Sequence, residues 1–183
     1  KLNRTRGGGC KNGVFVSRDP DTQNILREIP NLSSYARLIF LFGAGGRCSY
    51  VGKISFGLDG VKYRMSVAWV GIDDIFDSKN NLNETLTHEM GHSLGVYHAN
   101  GWDCGENILR GDCHHVEYGN AFDVMGVRSW GFHFNAFYKE LLGWIPMNET
   151  VQINSSGRYT LNPLELVGSG KKLAKVQSPL ATS

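Results

Sequence analysis

Three histidines and one glutamate in the stretch HEMGHSLGVYH, residues 88–98, have the types and spacing to bind a metal ion and use it. On a helix, His88 and His92 lie one turn apart on the same face, so two imidazoles can reach one ion. Glu89 follows His88 directly, where a carboxylate can take a proton from water without ligating the metal. We therefore predict a metal centre with Glu89 as its general base.

The third histidine requires the chain to turn. A continuous helix rising about 1.5 Å per residue would carry His98 about 15 Å away from His88. Gly95 lies where the helix must end, and glycine adopts the left-handed conformation of a helix end without a Cβ penalty. His98 can then fold back and complete a three-histidine site with one open coordination position. Because catalytic zinc sites keep such a position, we predict one catalytic Zn²⁺.

The pattern HExxHxxGxxH, followed by a methionine turn, resembles the signature of the metzincin zinc endopeptidases. The turn corresponds to Asp123-Val124-Met125-Gly126. The resemblance implies that Met125 forms an apolar floor under the ion and is not a ligand. Among metzincins the chain is most similar to the gametolysin family, through Ala99, the run from Glu117 to Gly126, and Phe134-Asn135-Ala136 leading to Leu142-Gly143-Trp144.

This resemblance implies a secreted zinc-dependent endopeptidase that hydrolyses peptide bonds with a metal-activated water. Its implied substrates are proteins or peptides, including glycoproteins of the extracellular matrix or of cell walls. Two alternatives stay open: a non-catalytic metzincin-like binding module, and a zinc hydrolase that acts on another bond. One position departs from the pattern, because Val127 stands where some metzincins carry a tyrosine that stabilises the oxyanion.

The elements that must position these residues indicate an α/β (α+β) fold. The resemblance implies a metzincin-like catalytic domain with a mixed, twisted sheet, an active-site helix and a C-terminal helix after the methionine turn. Local patterns predict a helix over 21–29 and strands over 35–42, 50–56 and 61–70, with a turn at Leu58-Asp59-Gly60. The continuous apolar run in 35–42 predicts a strand buried on both faces.

Four residues of the strand before the active-site helix are candidates for substrate binding: Ser66, Val67, Ala68 and Trp69. The resemblance places a substrate-binding edge strand here, and an extended peptide can add to such an edge. The alternative is an interior strand with no substrate role.

The active-site helix is predicted to begin at Asn81, with Glu84 completing a capping box. Leu86, Met90 and Leu94 follow at helical spacing and predict the apolar face that docks the helix. Further along, the sequence predicts a helix over 135–142, a hairpin from strands 150–153 and 158–161, and a disordered tail after Gly168.

A chain of 183 residues can bury a sizeable core. We expect a catalytic domain over 1–147, with a flexible, glycine-rich start at 1–13, and the start of a truncated β-rich region over 148–183. The formal net charge of +2, without a basic stripe interleaved with aromatics, argues against nucleic acid as a partner. No apolar run is long enough to span a membrane.

Cysteines and glycosylation sequons indicate a secreted, disulfide-permissive setting. Of three possible pairings, one joins Cys104 to Cys113 across a short loop and Cys10 to Cys48; four reduced thiols are the alternative. Sequons begin at Asn3, Asn31, Asn83, Asn148 and Asn154. The acidic loop 101–118 makes Ca²⁺ a further candidate ion, although it lacks a calcium-loop spacing. His114 and His115 in this loop are predicted to be exposed and not to bind metal.

Overall fold

The computed structural model describes residues 20–42, 49–71, 82–106, 112–126 and 133–177. The chain divides into two compact units, Lys1–Gly131 and Phe132–Ser183. Each unit contains both helix and strand, so the predicted mixed α+β class is confirmed. The predicted division into functional domains between residues 147 and 148 stays a prediction. Within the described ranges, every helix is too short or too polar to cross a membrane.

The described residues of the first unit form two helices and five strands. In chain order these are α1 Pro20–Arg27, β1 Arg37–Phe42, β2 Ser49–Leu58, β3 Val61–Gly71, α2 Leu82–Leu94, β4 Gly101–Asp103 and β5 His114–Val116, with a 3-10 turn at Leu32–Ser34. The predicted first helix, three strands and active-site helix are therefore present. The predicted cap Asn81 lies outside the described residues.

Strand β3 is the centre of a three-stranded sheet with the order β1-β3-β2. It pairs in parallel with β1 and antiparallel with β2. The β2–β3 connection turns at Asp59 and Gly60, whose φ angles are 48° and 81°. Positive φ at both central residues is the geometry of a tight hairpin turn, which glycine and aspartate tolerate. The turn predicted from these residues is confirmed.

The prediction that Ser66 to Trp69 form an edge strand is wrong. Backbone groups of β3 pair with a neighbouring strand on both sides along this stretch. Ser66, Val67 and Ala68 are buried, while the half-buried Trp69 ring stacks on Phe40 at a centroid distance of 6.1 Å. A substrate strand cannot add to these residues, because their hydrogen-bonding groups are already used within the sheet.

Strand β1 packs one face only, which also differs from the prediction. Leu38 and Phe40 are partly buried against the core, but Ile39 and Leu41 are 42% and 57% exposed. β1 is therefore covered on one face only, the face of Leu38 and Phe40. The core beneath the sheet joins residues of α1, the 3-10 turn, β2 and β3: Leu26, Leu32, Phe56, Leu58, Met65 and Val67.

Helix α2 packs against β2 and β3, and several of its buried side chains are polar. The predicted docking residues Leu86, Met90 and Leu94 are only partly buried. The buried positions are instead Glu84, Thr85, His88, Glu89 and Ser93. The helix is thus turned so that the side chains able to do chemistry face inwards, which no apolar periodicity could predict.

The second unit contains α3 Ala136–Leu141, a 3-10 turn at Met147–Glu149, and strands β6 Thr150–Ile153 and β7 Leu173–Val176. The predicted helix after the methionine turn is confirmed. Asn135 caps it, since its side-chain oxygen accepts a hydrogen bond from the Tyr138 backbone N–H at 2.9 Å.

The predicted hairpin is wrong, and so is the prediction of disorder for residues 169–177; residues 178–183 lie outside the described residues. β6 pairs in parallel with β7, not with residues 158–161. The Lys171 ammonium donates to the carbonyl oxygens of Asn148 and Thr150 at 3.0 and 2.8 Å. The Lys172 backbone N–H donates to the Glu149 carbonyl at 2.7 Å. These hydrogen bonds tie the segment after Gly168 to the start of β6.

Candidate metal centre

The end of α2 decides where the third histidine can lie. The Gly95 N–H donates to the His92 carbonyl, and the Val96 N–H donates to the Gly91 carbonyl, both at 3.0 Å. These are the two hydrogen bonds of a Schellman motif. Gly95 has a φ of 99°, in the region that glycine enters without a Cβ penalty. The helix end predicted at Gly95 is confirmed.

The three imidazoles converge on one point. Ring centroids are 4.8 Å apart for His88 and His92, 5.4 Å for His88 and His98, and 4.8 Å for His92 and His98. One ligand atom from each lies within 4.8 Å of the others. Zinc–nitrogen bonds of about 2.0–2.1 Å in a tetrahedron would require each nitrogen to move by less than about 1 Å. The set therefore fits a single ion.

Each ring is oriented by an oxygen atom at its Nδ1. The partners are the Val124 carbonyl for His88 at 2.8 Å, the Val96 carbonyl for His92 at 2.9 Å, and Oε1 of Glu117 for His98 at 2.7 Å. Carbonyl and carboxylate oxygens accept, so Nδ1 must donate in all three rings. Nε2 is then the nitrogen with the lone pair, and this tautomer suits metal ligation through Nε2.

Burial favours the neutral form of His92, one of the three ligands. His88 is only 3% exposed, and the other two rings are partly buried. Burial lowers the pKa of His92 below its ordinary value, an effect opposed by the hydrogen bond to Val96 and reinforced by the neighbouring His98. Because a metal binds the deprotonated nitrogen, a lowered pKa keeps His92 ready for ligation at neutral pH.

The turn 123–126 lies directly beside the ligands. Asp123 is fully buried, and its carboxylate accepts a hydrogen bond from the Met125 backbone N–H at 2.6 Å. The Met125 carbonyl accepts from the N–H of Ala99, the residue after His98, at 2.8 Å. The Met125 side chain is fully buried. The role of Met125 as an apolar floor under the ion stays a prediction. Its backbone is hydrogen-bonded to Ala99, the neighbour of the third ligand.

Glu89 lies on the buried face of α2 and is 4% exposed. It is the carboxylate that directly follows the first ligand in the chain. Its predicted task, the transfer of a proton, stays a prediction.

Two residues at the centre were missed by sequence reasoning. Glu117 orients His98, and the Tyr118 ring lies with its centroid 3.8 Å from that of His98 and 6.0 Å from that of His88. Both residues belong to the run from Glu117 to Gly126, on which the family resemblance rests, but the sequence did not indicate that they contact a metal ligand. A glutamate 19 residues after a histidine has no motif spacing, so only the fold brings the pair together.

Strands β4 and β5 form a small antiparallel pair close to the third ligand in the chain. A disulfide joins Cys104 to Cys113, which is one of the pairings that the sequence leaves open. Cys10 and Cys48 lie outside the described residues. His114 and His115 are exposed, as predicted.

The three histidines are the one cluster of metal-binding side chains in the described parts of the chain. The acidic side chains described in the loop 101–118 therefore do not lie close enough together to form a second such group. One of them, Asp103, uses its carboxylate to accept a hydrogen bond from the Gly105 N–H at 3.0 Å.

Comparison with family models, curated proteins and solved structures finds no match to this chain. The chemistry of the centre is therefore inferred from its own side chains. Three imidazoles with oriented rings are a donor set suited to Zn²⁺, whose catalytic sites commonly take three protein ligands.

Proposed function

We propose that this chain is a secreted zinc endopeptidase of the metzincin type, similar to the gametolysin family. The observation that carries the proposal is the convergence of His88, His92 and His98, each with Nδ1 held by an oxygen. A structural zinc site would have a fourth protein ligand. Among the described residues, no further histidine, cysteine or carboxylate joins the group.

In this proposal the three histidines hold Zn²⁺ and Glu89 moves the proton. Zn²⁺ bound by the three imidazoles would act as a Lewis acid. It would lower the pKa of water to about 7 and polarise the carbonyl under attack. Glu89 accepts the proton of the attacking water and passes it to the leaving amine. Glu89 is 4% exposed and directly follows the first ligand, His88, in the chain.

The substrate would be an extended peptide added to the edge of β2. Strand β3 is unsuitable because it is paired on both sides. Among the described strands, β2 is an edge of the three-stranded sheet and packs against α2, the helix that carries two ligands. The edge of a strand offers backbone groups that can bind a peptide in extended form. We therefore reassign the substrate edge from β3 to β2.

Two observations support a secreted enzyme. The Cys104–Cys113 disulfide suits an oxidising compartment. The sequon residues Asn148 and Asn154 are exposed, so glycans could be attached there without burial. Substrates among extracellular glycoproteins follow from the family resemblance alone and form part of the same proposal.

The test is hydrolysis of a casein-like substrate by the full chain, with and without a zinc chelator. Chelation should abolish cleavage, and added Zn²⁺ should restore it. Glu89→Ala should reduce the rate by about 10²–10⁴-fold while metal analysis finds one zinc per chain. Glu28→Ala, which changes an exposed glutamate directly after α1, serves as the control and should leave the rate unchanged.

His98→Ala separates ligation from proton transfer, since it should lower zinc affinity as well as rate. Full activity of Glu89→Ala would remove that residue from the mechanism. A wild-type chain that binds zinc tightly but cleaves nothing would favour the binding-module alternative.

A further inference from the structure

We propose that Glu117 and Tyr118 position His98 for the metal, an inference that rests on the metal-binding part of the proposed function. His88 and His92 are carried by α2, whose packing restrains them. His98 lies in an irregular segment between α2 and β4, and its side chain is 23% exposed. A ligand on such a segment needs contacts from elsewhere to hold its rotamer.

Glu117 holds the edge of the His98 ring. Its Oε1 atom lies 2.7 Å from Nδ1, and its side chain is 62% exposed. The other two ligands use backbone carbonyls for the same purpose. A carboxylate at this position fixes the tautomer and the orientation of the ring. His98 is thus the one ligand of the three whose ring is oriented by a charged side chain.

Tyr118 covers the face of the same ring. Its centroid is 3.8 Å from that of His98, with the planes inclined at 33°. The ring also lies 6.0 Å from His88, nearly parallel to it at 25°. Contact on the ring face limits rotation about the bond that joins the imidazole to its Cβ. The hydrogen bond to Glu117 and the ring contact with Tyr118 together hold the His98 imidazole in a single orientation.

The backbone at Tyr118 explains how neighbouring residues reach one imidazole. In an extended chain, successive side chains point to opposite sides. Glu117 and Tyr118 both contact His98, and Tyr118 has a φ of 60°. This left-handed conformation is uncommon for a bulky residue and persists where the surroundings impose it. It breaks the alternation and brings the second side chain to the same ring.

The residues that follow His98 impose this conformation. The Tyr118 N–H donates to the Asn100 side-chain oxygen at 3.1 Å. The backbones of Gly101 and Gly119 are so close that a Cβ on Gly119 would lie 2.8 Å from the Gly101 nitrogen. The segment that carries the third ligand therefore also holds the two side chains that orient it.

The first test is zinc affinity, measured at neutral pH by competition with a chelating dye. Glu117→Ala should bind zinc about 10- to 100-fold more weakly. Glu117→Gln should lie between that variant and the wild type, because its amide oxygen still accepts a hydrogen bond from Nδ1. Asp112→Asn, which changes an exposed acid of the same loop, is the control and should bind as the wild type does.

Two substitutions at position 118 separate the ring from the backbone. Tyr118→Phe keeps the ring and should stay within about twofold of the wild type. Tyr118→Asn keeps a residue that tolerates left-handed backbone but removes the ring, and should weaken zinc binding about tenfold. Equal affinity of Tyr118→Asn and the wild type would remove Tyr118 from the proposal.

The tautomer of His98 provides a readout that needs neither metal nor substrate. Long-range ¹H–¹⁵N NMR correlations of the metal-free chain should show the proton on Nδ1 in the wild type and a mixture of tautomers in Glu117→Ala. Unchanged tautomer together with unchanged zinc affinity in this variant would overturn the proposal. Should Glu117→Ala fail to fold, the isosteric Glu117→Gln decides by the same measurements. A chain that cleaves nothing would defeat the proposed function and leave these results intact.

Discussion

The Nδ1 atom of His88 lies 2.8 Å from the carbonyl oxygen of Val124, although 36 positions separate the two residues in the chain. This hydrogen bond joins the buried face of α2 to the turn 123–126. Because a carbonyl can only accept, it holds the imidazole in the tautomer whose Nε2 can ligate a metal. The metal centre therefore depends on the backbone of a turn that contributes no ligand.

Gly126→Ala should disturb that turn. A Cβ at this position would lie 1.8 Å from the Asn120 carbonyl oxygen, so the backbone must move. We expect the free energy of unfolding to fall by at least about 2 kcal/mol, and zinc affinity to fall with it. Gly57→Ala is the control, since no atom lies within 4 Å of the added methyl group. Similar denaturation curves for both variants would contradict this reading of the turn.

Gly95→Ala should weaken the end of α2 through backbone conformation alone. The space around Gly95 is open, but its φ of 99° is unfavourable for a residue with a Cβ. We expect a loss of about 1–2 kcal/mol in the free energy of unfolding, measured by chemical denaturation, together with weaker zinc binding. Gly95→Asn should lose less, because asparagine tolerates left-handed backbone better than alanine does. Equal losses would point to a different cause.

Thr85→Val should stabilise the chain. The Thr85 hydroxyl is fully buried on α2 and has no hydrogen-bond partner within the described structure. Valine has nearly the same shape and removes the unsatisfied group, so we expect a gain of about 1 kcal/mol in the free energy of unfolding. Thr85→Ser keeps the hydroxyl but loses the methyl group and should cost about 1 kcal/mol. A destabilised Thr85→Val would show that the hydroxyl has a partner.

The ion pair between Arg27 and Asp59 should make stability depend on pH in acid. The guanidinium donates to the carboxylate at 2.9–3.1 Å, and this hydrogen bonding lowers the pKa of Asp59 below its ordinary value. A carboxyl whose pKa is lowered in the folded state stabilises the fold at pH values above its pKa in the unfolded chain, about 3.9. This contribution is lost as the pH falls through the lowered pKa of the folded state. Both side chains are exposed, so the effect should be small and weaker at high salt.

Asp59→Asn removes this charge and keeps a residue that accepts the φ of 48°. The wild type should be more stable than the variant at pH 6, and the difference should vanish at pH 2, as followed by denaturant unfolding at both values. A difference that grows on acidification would have the wrong sign for this ion pair.

The ligands could be predicted because their relationship is local. A helix places His88 and His92 on one face, and a glycine at position 95 lets the chain turn back within three residues. The hairpin at Asp59-Gly60 followed from turn chemistry in the same way. These features need only the covalent geometry of a short segment, which is the same wherever that segment lies.

The neighbours of these segments were decided by the tertiary structure. The order of apolar residues did not predict that β3 is the central strand, or that β6 pairs with β7 and not with residues 158–161. The alternation of apolar and polar residues indicates which face of a strand is buried, but not which strand lies next to it. Nor could spacing bring Glu117 and Tyr118 to His98, since their approach depends on a left-handed residue held from another segment. The sequence alone determined which side chains can bind the metal; the packing of distant segments decided what orients them.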